Sequence, residues 1–314
     1  MAKKQLPVVL RQHAELPPPE TGQVLVSVSV GPDNEAIALW STPTGRDKLQ
    51  ARVERPNGTS FAASTTDGTI AHVVSYAPQP TSTVIVPDLR VAHCHVQPLP
   101  GGRVLIVGAR LRSADADRNA LIFNPDGRIA RSGTLGDGIE HVRTTPSGKI
   151  WVGYFDEGIY GGGGDGGEPL GAPGIVRYTG RLQPEWRFPV RQDLDPIADC
   201  YALNVAGESA WATYYSDFPV VRITDDMVRS WPGARTAANA LIVAGTRCAL
   251  IGGYGGKRDR VLVGDLDRGH FKPYRLTLPD ESRLPDRAQV IGRGPDLHVF
   301  VDSRWFRLSL DDLP

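Results

Sequence analysis

The sequence predicts an all-β protein, a single six-bladed β-propeller of four-stranded antiparallel blades over residues 1–314, its ring closed by the N-terminal strand. Three observations predict it. A unit of apolar strand, tight glycine turn and apolar strand recurs six times. A second hairpin lies between successive copies, so each repeat holds four strands. No stretch of about a dozen residues carries the helical period.

The first copy runs from Val24 to Trp40, turning at Gly31-Pro32-Asp33-Asn34. The second is His95–Gly108, around Gly101-Gly102. The third is His141–Tyr154, around Gly148, and the fourth Tyr201–Tyr214, around Gly207. Looser copies span Ala240–Ile251 and Val290–Val301. The intervening hairpins are Ile70–Val86, Asn119–Ala130, Gly174–Trp186, Pro219–Trp231 and Arg260–Leu276. Asn124-Pro125-Asp126-Gly127 shows the turn chemistry such a hairpin needs. The last copy ends in one further strand, Trp305–Leu310, with no fourth after it. The apolar segment 6–11 is expected to supply it, with Val8–Arg11 pairing to Phe306–Leu310, so that no sheet edge stays open. Recurring Trp151, Trp186, Trp211 and Trp231 read as core or inter-blade packing.

Composition narrows the function. Thirty-five Lys and Arg balance 35 Asp and Glu, which leaves no positive field to drive phosphate-backbone binding and excludes a nucleic-acid partner. No apolar run is long enough for a membrane span or a signal peptide, so a cytoplasmic protein is expected. Three widely spaced cysteines, Cys94, Cys200 and Cys248, form neither a disulfide framework nor a zinc motif. Cys94 and Cys200 read as small packing residues rather than nucleophiles.

Segments 139–158 and 174–189, with a turn glycine followed two or three residues later by an aromatic strand, resemble blades of the NHL, gluconolactonase-like and streptogramin-lyase-like propellers. The resemblance implies the six-bladed fold. It also implies a metal-assisted hydrolase or lyase as one outcome, since gluconolactonase-like enzymes hold a metal with carboxylates and Asn. Streptogramin lyases use a His near a metal, a role His141 would fill. These families also include pure binding proteins, and fold alone does not choose between them.

The site is expected where the loops between second and third strands gather. Two are long, 41–68 and 157–173, and long loops on a rigid scaffold carry function. The first is expected to hold its own hairpin, Leu49–Arg55 with Ser60–Ser64; the second carries the glycine run Gly161–Gly167, read as a mobile tip. Aligned on the turn glycine, His95, His141, Tyr201 and Asn239 begin the first strands at one equivalent position. Strand parity adds His93 and Asp199, and the second strands exit at Arg110, Asp156, Glu157 and Asp217.

His95, His141, Glu157, Asp199 and Tyr201 are therefore the catalytic candidates; His93, Arg110, Asp156, Asp217 and Asn239 are ligand-binding candidates, with Arg110 a clamp for a substrate carboxylate. Such a set can also hold a divalent cation. The alternative is a water-filled channel whose polar side chains only satisfy strand ends. Three functions stay open: a small-molecule enzyme, a non-catalytic small-molecule binder, and a scaffold whose long loops grip a protein partner.

Overall fold

A computed structural model describes residues 6–54, 60–111, 118–161 and 167–314. It is a six-bladed β-propeller built from six four-stranded antiparallel blades, one of them extended by a fifth strand. The chain divides into two compact units. One spans residues 16–189 and holds blades one to three; the other joins the N-terminal segment, through Glu15, to residues 190–314 and holds blades four to six.

In the unit of blades one to three, blade one is Val24–Val30, Ala36–Ser41, Thr65–Tyr76 and Pro80–Val91. Blade two is Cys94–Leu99, Arg103–Gly108, Ala120–Phe123 and Ile129–Gly133. Blade three is Ile139–Thr144, Ile150–Tyr154, Ile175–Tyr178 and Pro184–Arg187. The second strands are almost wholly buried and nearly all apolar, as in Ala36–Ser41 and Ile150–Tyr154, because sheets cover both their faces. The fourth strands are largely exposed and polar, as in Pro184–Arg187. One apolar cluster joins blades one and two through Ile37, Val73, Val96, Ile106 and Phe123. The buried amide of Gln97 ties the first strands together: it donates to Ser29 Oγ in blade one and accepts from Thr144 N and Oγ1 in blade three.

In the other unit, blade four is Asp199–Ala206, Ser209–Tyr215, Val220–Thr224 and Met227–Trp231. Blade five is Ala240–Ala244, Arg247–Ile251, Arg260–Asp265 and His270–Thr277. Blade six is Gln289–Arg293, Asp296–Val301 and Arg304–Ser309, completed by an N-terminal strand. Here Asn204 takes the part of Gln97. Its side chain donates to Leu241 O and Gly294 O and accepts from Gly294 N, linking blades four, five and six.

The N-terminal closure differs from expectation in its residues. Strand β1 (Leu6–Val9) does not join the last blade; it adds to blade five as a fifth strand, parallel to His270–Thr277. Strand β2 (Arg11–Glu15) completes blade six instead, antiparallel to Arg304–Arg307. The cause is burial. Val8 and Leu10 sink into a cluster with Tyr274, Leu276, Phe306 and Leu308, which anchors the apolar segment against blade five. The polar run Arg-Gln-His-Ala-Glu of β2 is held by backbone pairing and by His13 edge-on to Trp305 at 4.5 Å, so no apolar alternation announces it.

The tryptophans pack as expected, with an addition. Trp151 has Arg177 5.2 Å from its ring centroid and Trp186 edge-on at 5.4 Å. Trp211 is covered in the same way by Arg222 and stacks on Trp231. In both blades the Arg stands directly opposite the Trp on the neighbouring strand, so cross-strand pairing delivers the cation–π contact.

Candidate functional site

Each long loop opens with a short helix that the sequence reading did not anticipate. In the first, helix α1 (Pro43–Leu49) starts at Thr42, whose hydroxyl accepts from Gly45 N at 3.1 Å, with Pro at the first helical position. The expected hairpin follows as Arg52–Glu54 paired with Ser60–Ala62. This loop reaches blade two: His93 N donates to Leu49 O at 2.7 Å, and His93 Nε2 lies 2.7 Å from Ala51 O. In the second loop, α2 (Asp156–Tyr160) follows the second strand of blade three directly. Of its glycine run, residues 162–166 lie outside the described residues.

Two glycines set where α2 sits. Gly138 has φ +62°, and a Cβ there would stand 2.2 Å from Gly158 N; a Cβ on Gly158 would stand 2.3 Å from Asp137 O. Only glycine at both places permits this backbone contact. It brings Glu157 up to Arg110, which forms an ion pair with it while also holding Asp137 through Nε (2.9 Å) and a terminal nitrogen (3.2 Å). Asp137 additionally accepts from Leu111 N at 2.7 Å, and the guanidinium lies over Phe155 at 5.5 Å. Arg110 is thus engaged by two carboxylates already, which argues against its expected use as a clamp for a ligand carboxylate.

A recess of about 350 Å³ opens beside this cluster, lined by Gln50, His93, His95, Arg110, Glu140 and Phe155. Arg110 also lines a second recess of about 400 Å³, with Val53, Phe61, Thr65, Leu111 and Asp137. His95 Nε2 lies 3.2 Å from Ile139 O. Burial pushes the His95 pKa down to about 4 against the pull of that carbonyl, and the Arg143 guanidinium lowers it further, so the ring is neutral at pH 7. Burial pushes the Cys94 thiol up to about 12, which keeps it protonated and inert.

The structure therefore brings together His93, His95, Arg110 and Glu157. Asp156 is exposed, its Oδ1 accepting from Glu157 N at 2.7 Å. His141 is buried opposite Gly153 and does not line the recess. Asp199, Tyr201, Asp217 and Asn239 belong to the other unit. There Asn239 Oδ1 accepts from Gly253 N at 3.0 Å, and Tyr201 packs on Phe218 and Tyr254. Tyr201 is also one position out of line with His141. A bulge leaves Glu140 as the extra residue between Ile139 and His141, and another leaves Tyr201 between Cys200 and Ala202. Tyr201 matches Glu140; the longer turn of blade three puts its glycine eight residues after Glu140, against six after Tyr201 in blade four.

Glu140, Asp137, Phe155 and Gln50 escaped the sequence reading. The pair Asp137-Gly138 matched by Glu157-Gly158 was the available signal: two acidic residues each followed by a glycine. Among the described residues, no group of three or more His, Cys, Asp or Glu side chains is placed to hold a metal ion. No helix among them is long and apolar enough to cross a membrane.

Six blades, with a polar recess under the long loops of blades one and three, place the chain in the class of six-bladed β-propellers. Within that class it is similar to a catalytically inactive virginiamycin B lyase from Staphylococcus aureus, solved with quinupristin, at 10% identity and a TM-score of 0.46 over 94% of this chain and 98% of that one. A gluconolactonase from Xanthomonas campestris aligns at 11% identity and TM-score 0.43, over 95% and 98% of the two chains. YCF48 bound to D1 peptide aligns at 8% identity and TM-score 0.47, over 98% of each. Likeness at this level carries nothing about activity. Residues 190–242, which hold blade four and the start of blade five, match the YxzG family. No curated protein matches the chain.

Proposed function

We propose that the chain is a small-molecule-binding β-propeller whose ligand sits in the recess of blades one to three. The observation that carries this reading is the convergence of His93, His95 and Glu140 on one recess of about 350 Å³, a volume within the range of small-molecule sites. Arg110 lines it, held in place by its ion pairs with Asp137 and Glu157. His95 is suited to hydrogen bonding as a neutral ring; a pKa near 4 makes it a weak base, which favours recognition over proton abstraction. The neutralised Arg110 and the exposed Glu140 favour neutral or cationic polar ligands over carboxylates.

Ligand-observed NMR with a fragment library, run against wild type, His95→Ala and Glu140→Gln, tests it. Expected are binders whose affinity falls on the order of tenfold in at least one variant. A library with no binders, or binders indifferent to both substitutions, overturns the reading.

A further inference from the structure

Blade four and the loop after the second strand of blade five carry a cluster that the recess does not use. The rings of Tyr201, Phe218 and Tyr254 touch one another, with centroids 5.4, 5.6 and 6.2 Å apart and planes at 81°, 82° and 75°. Tyr215 joins them through Phe218 at 5.7 Å. The Tyr201 and Tyr254 hydroxyls are hydrogen-bonded to each other. Rings packed this way ordinarily belong to a core, yet Tyr215 and Tyr254 are 50% and 57% exposed.

Two local features hold the rings out. Tyr201 is the extra residue of a bulge, which re-aims its side chain. Asp217 and Phe218 both adopt positive φ, +58° and +53°, in the left-handed region that non-glycine residues occupy only under strain. The strain presents Phe218 to its exposed neighbours instead of burying it. Carboxylates flank the cluster: Asp217 precedes Phe218, and Asp199 stands opposite Tyr215 across the ladder. The arginines beyond Tyr254 are turned elsewhere, Arg258 to Ala288 O and Arg260 to Gly252 O and Ala237 O.

We propose that this corner is a second binding site and that it takes a small organic cation, an alkylammonium or quaternary ammonium group. Tyr201, Phe218 and Tyr254 are its walls, and Asp217 supplies counter-charge. Centroids 5.4 to 6.2 Å apart are close enough for one compact cation to lie within the roughly 6 Å reach of a cation–π contact from all three rings. A sugar ring would call for one flat platform, whereas rings at right angles suit a compact, nearly spherical group. The flanking carboxylates add charge attraction that a neutral ligand would not feel.

The experiment is an NMR titration of the full chain with tetramethylammonium, following the tyrosine ring resonances, with tert-butanol as neutral isostere and glucose as sugar control. Expected is a saturable shift with tetramethylammonium, a response to tert-butanol at least about tenfold weaker, and none to glucose. Tyr254→Leu should weaken tetramethylammonium binding on the order of tenfold, while Tyr254→Phe, which keeps the ring face, should stay within about threefold. Equal responses to tetramethylammonium and tert-butanol, a stronger response to glucose, or wild-type binding by Tyr254→Leu would each overturn the proposal.

Discussion

Glu140 in blade three and Tyr201 in blade four hold the same backbone position in the two units, and they face different chemistry. Each is the extra residue of a bulge near the start of the first strand of its blade. In blade three the bulge turns a carboxylate into a recess shared with two histidines and an engaged arginine. In blade four it turns a tyrosine into a partly exposed aromatic cluster. The backbone device repeats; the residue placed on it decides the ligand. Equivalent positions in a propeller are therefore equivalent in direction, not in function.

The largest test of this pairing of units is removal of residues 1–15. That takes β1 and β2, and with them Val8 and Leu10, from blades five and six only. Expected is a loss on the order of 5 kcal/mol or more, read as a clear fall in thermal midpoint. Hydrogen exchange should rise in His270–Thr277 and Arg304–Ser309 and stay unchanged in Ile150–Tyr154. Equal loosening of both regions would break the comparison.

Next come the two buried amides. Asn204→Leu removes the partner of Gly294 N and one donor each to Leu241 O and Gly294 O, the latter still accepting from Val243 N; Gln97→Leu removes the partner of Thr144 N and of Ser29 Oγ. Each should cost on the order of 4 kcal/mol in denaturant titrations. A variant as stable as wild type would show that its amide is not a tie at all.

His95 gives a somewhat smaller effect with a defined pH window. Its folded pKa of about 4 lies below the model-peptide value of 6.5, so the unfolded chain binds the proton first. Stability from this ring is intact above pH 6.5 and is lost as the pH falls toward 4, approaching about 3 kcal/mol. His95→Gln should flatten that part of the stability profile, and an NMR titration of His95 near 6.5 in the folded protein would refute it.

The smallest effect sharpens the comparison most. Gly158→Ala places a Cβ 2.3 Å from Asp137 O, so α2 must shift and release Glu157 from Arg110, at about 2 kcal/mol. NMR shifts should change at His93 and His95 and leave Tyr201 and Tyr254 untouched.

Much of the fold was legible because turn glycines and apolar strands mark each blade in one dimension. What was not legible depended on pairing. β2 is polar, and its fourth-strand role rests on hydrogen bonds that composition does not record. The bulges at Glu140 and Tyr201 are invisible to an alignment on turns, because the turn glycine follows the bulge at different spacings in the two blades. The candidate site was half legible: His93, His95, Arg110 and Glu157 converge in the unit of blades one to three, whereas Asp199, Tyr201 and Asp217 surround or join the aromatic cluster of the other unit.

The placement of β2 also bears on how the chain is made. Glu15 and Ser303, hydrogen-bonded at the end of blade six, are 288 residues apart. On the ribosome, Arg11–Glu15 emerges before any blade and must wait until Arg304–Arg307 has been translated. Blades one to three can assemble in that interval from neighbouring strands alone, each pairing with the next hairpin as it appears. The final blade cannot, because its fourth strand comes from the other end of the chain. Every nascent chain therefore passes through a stage in which Arg11–Glu15 is an unpaired strand, and nascent-chain crosslinking should find holding chaperones on this segment until Arg304–Arg307 has emerged.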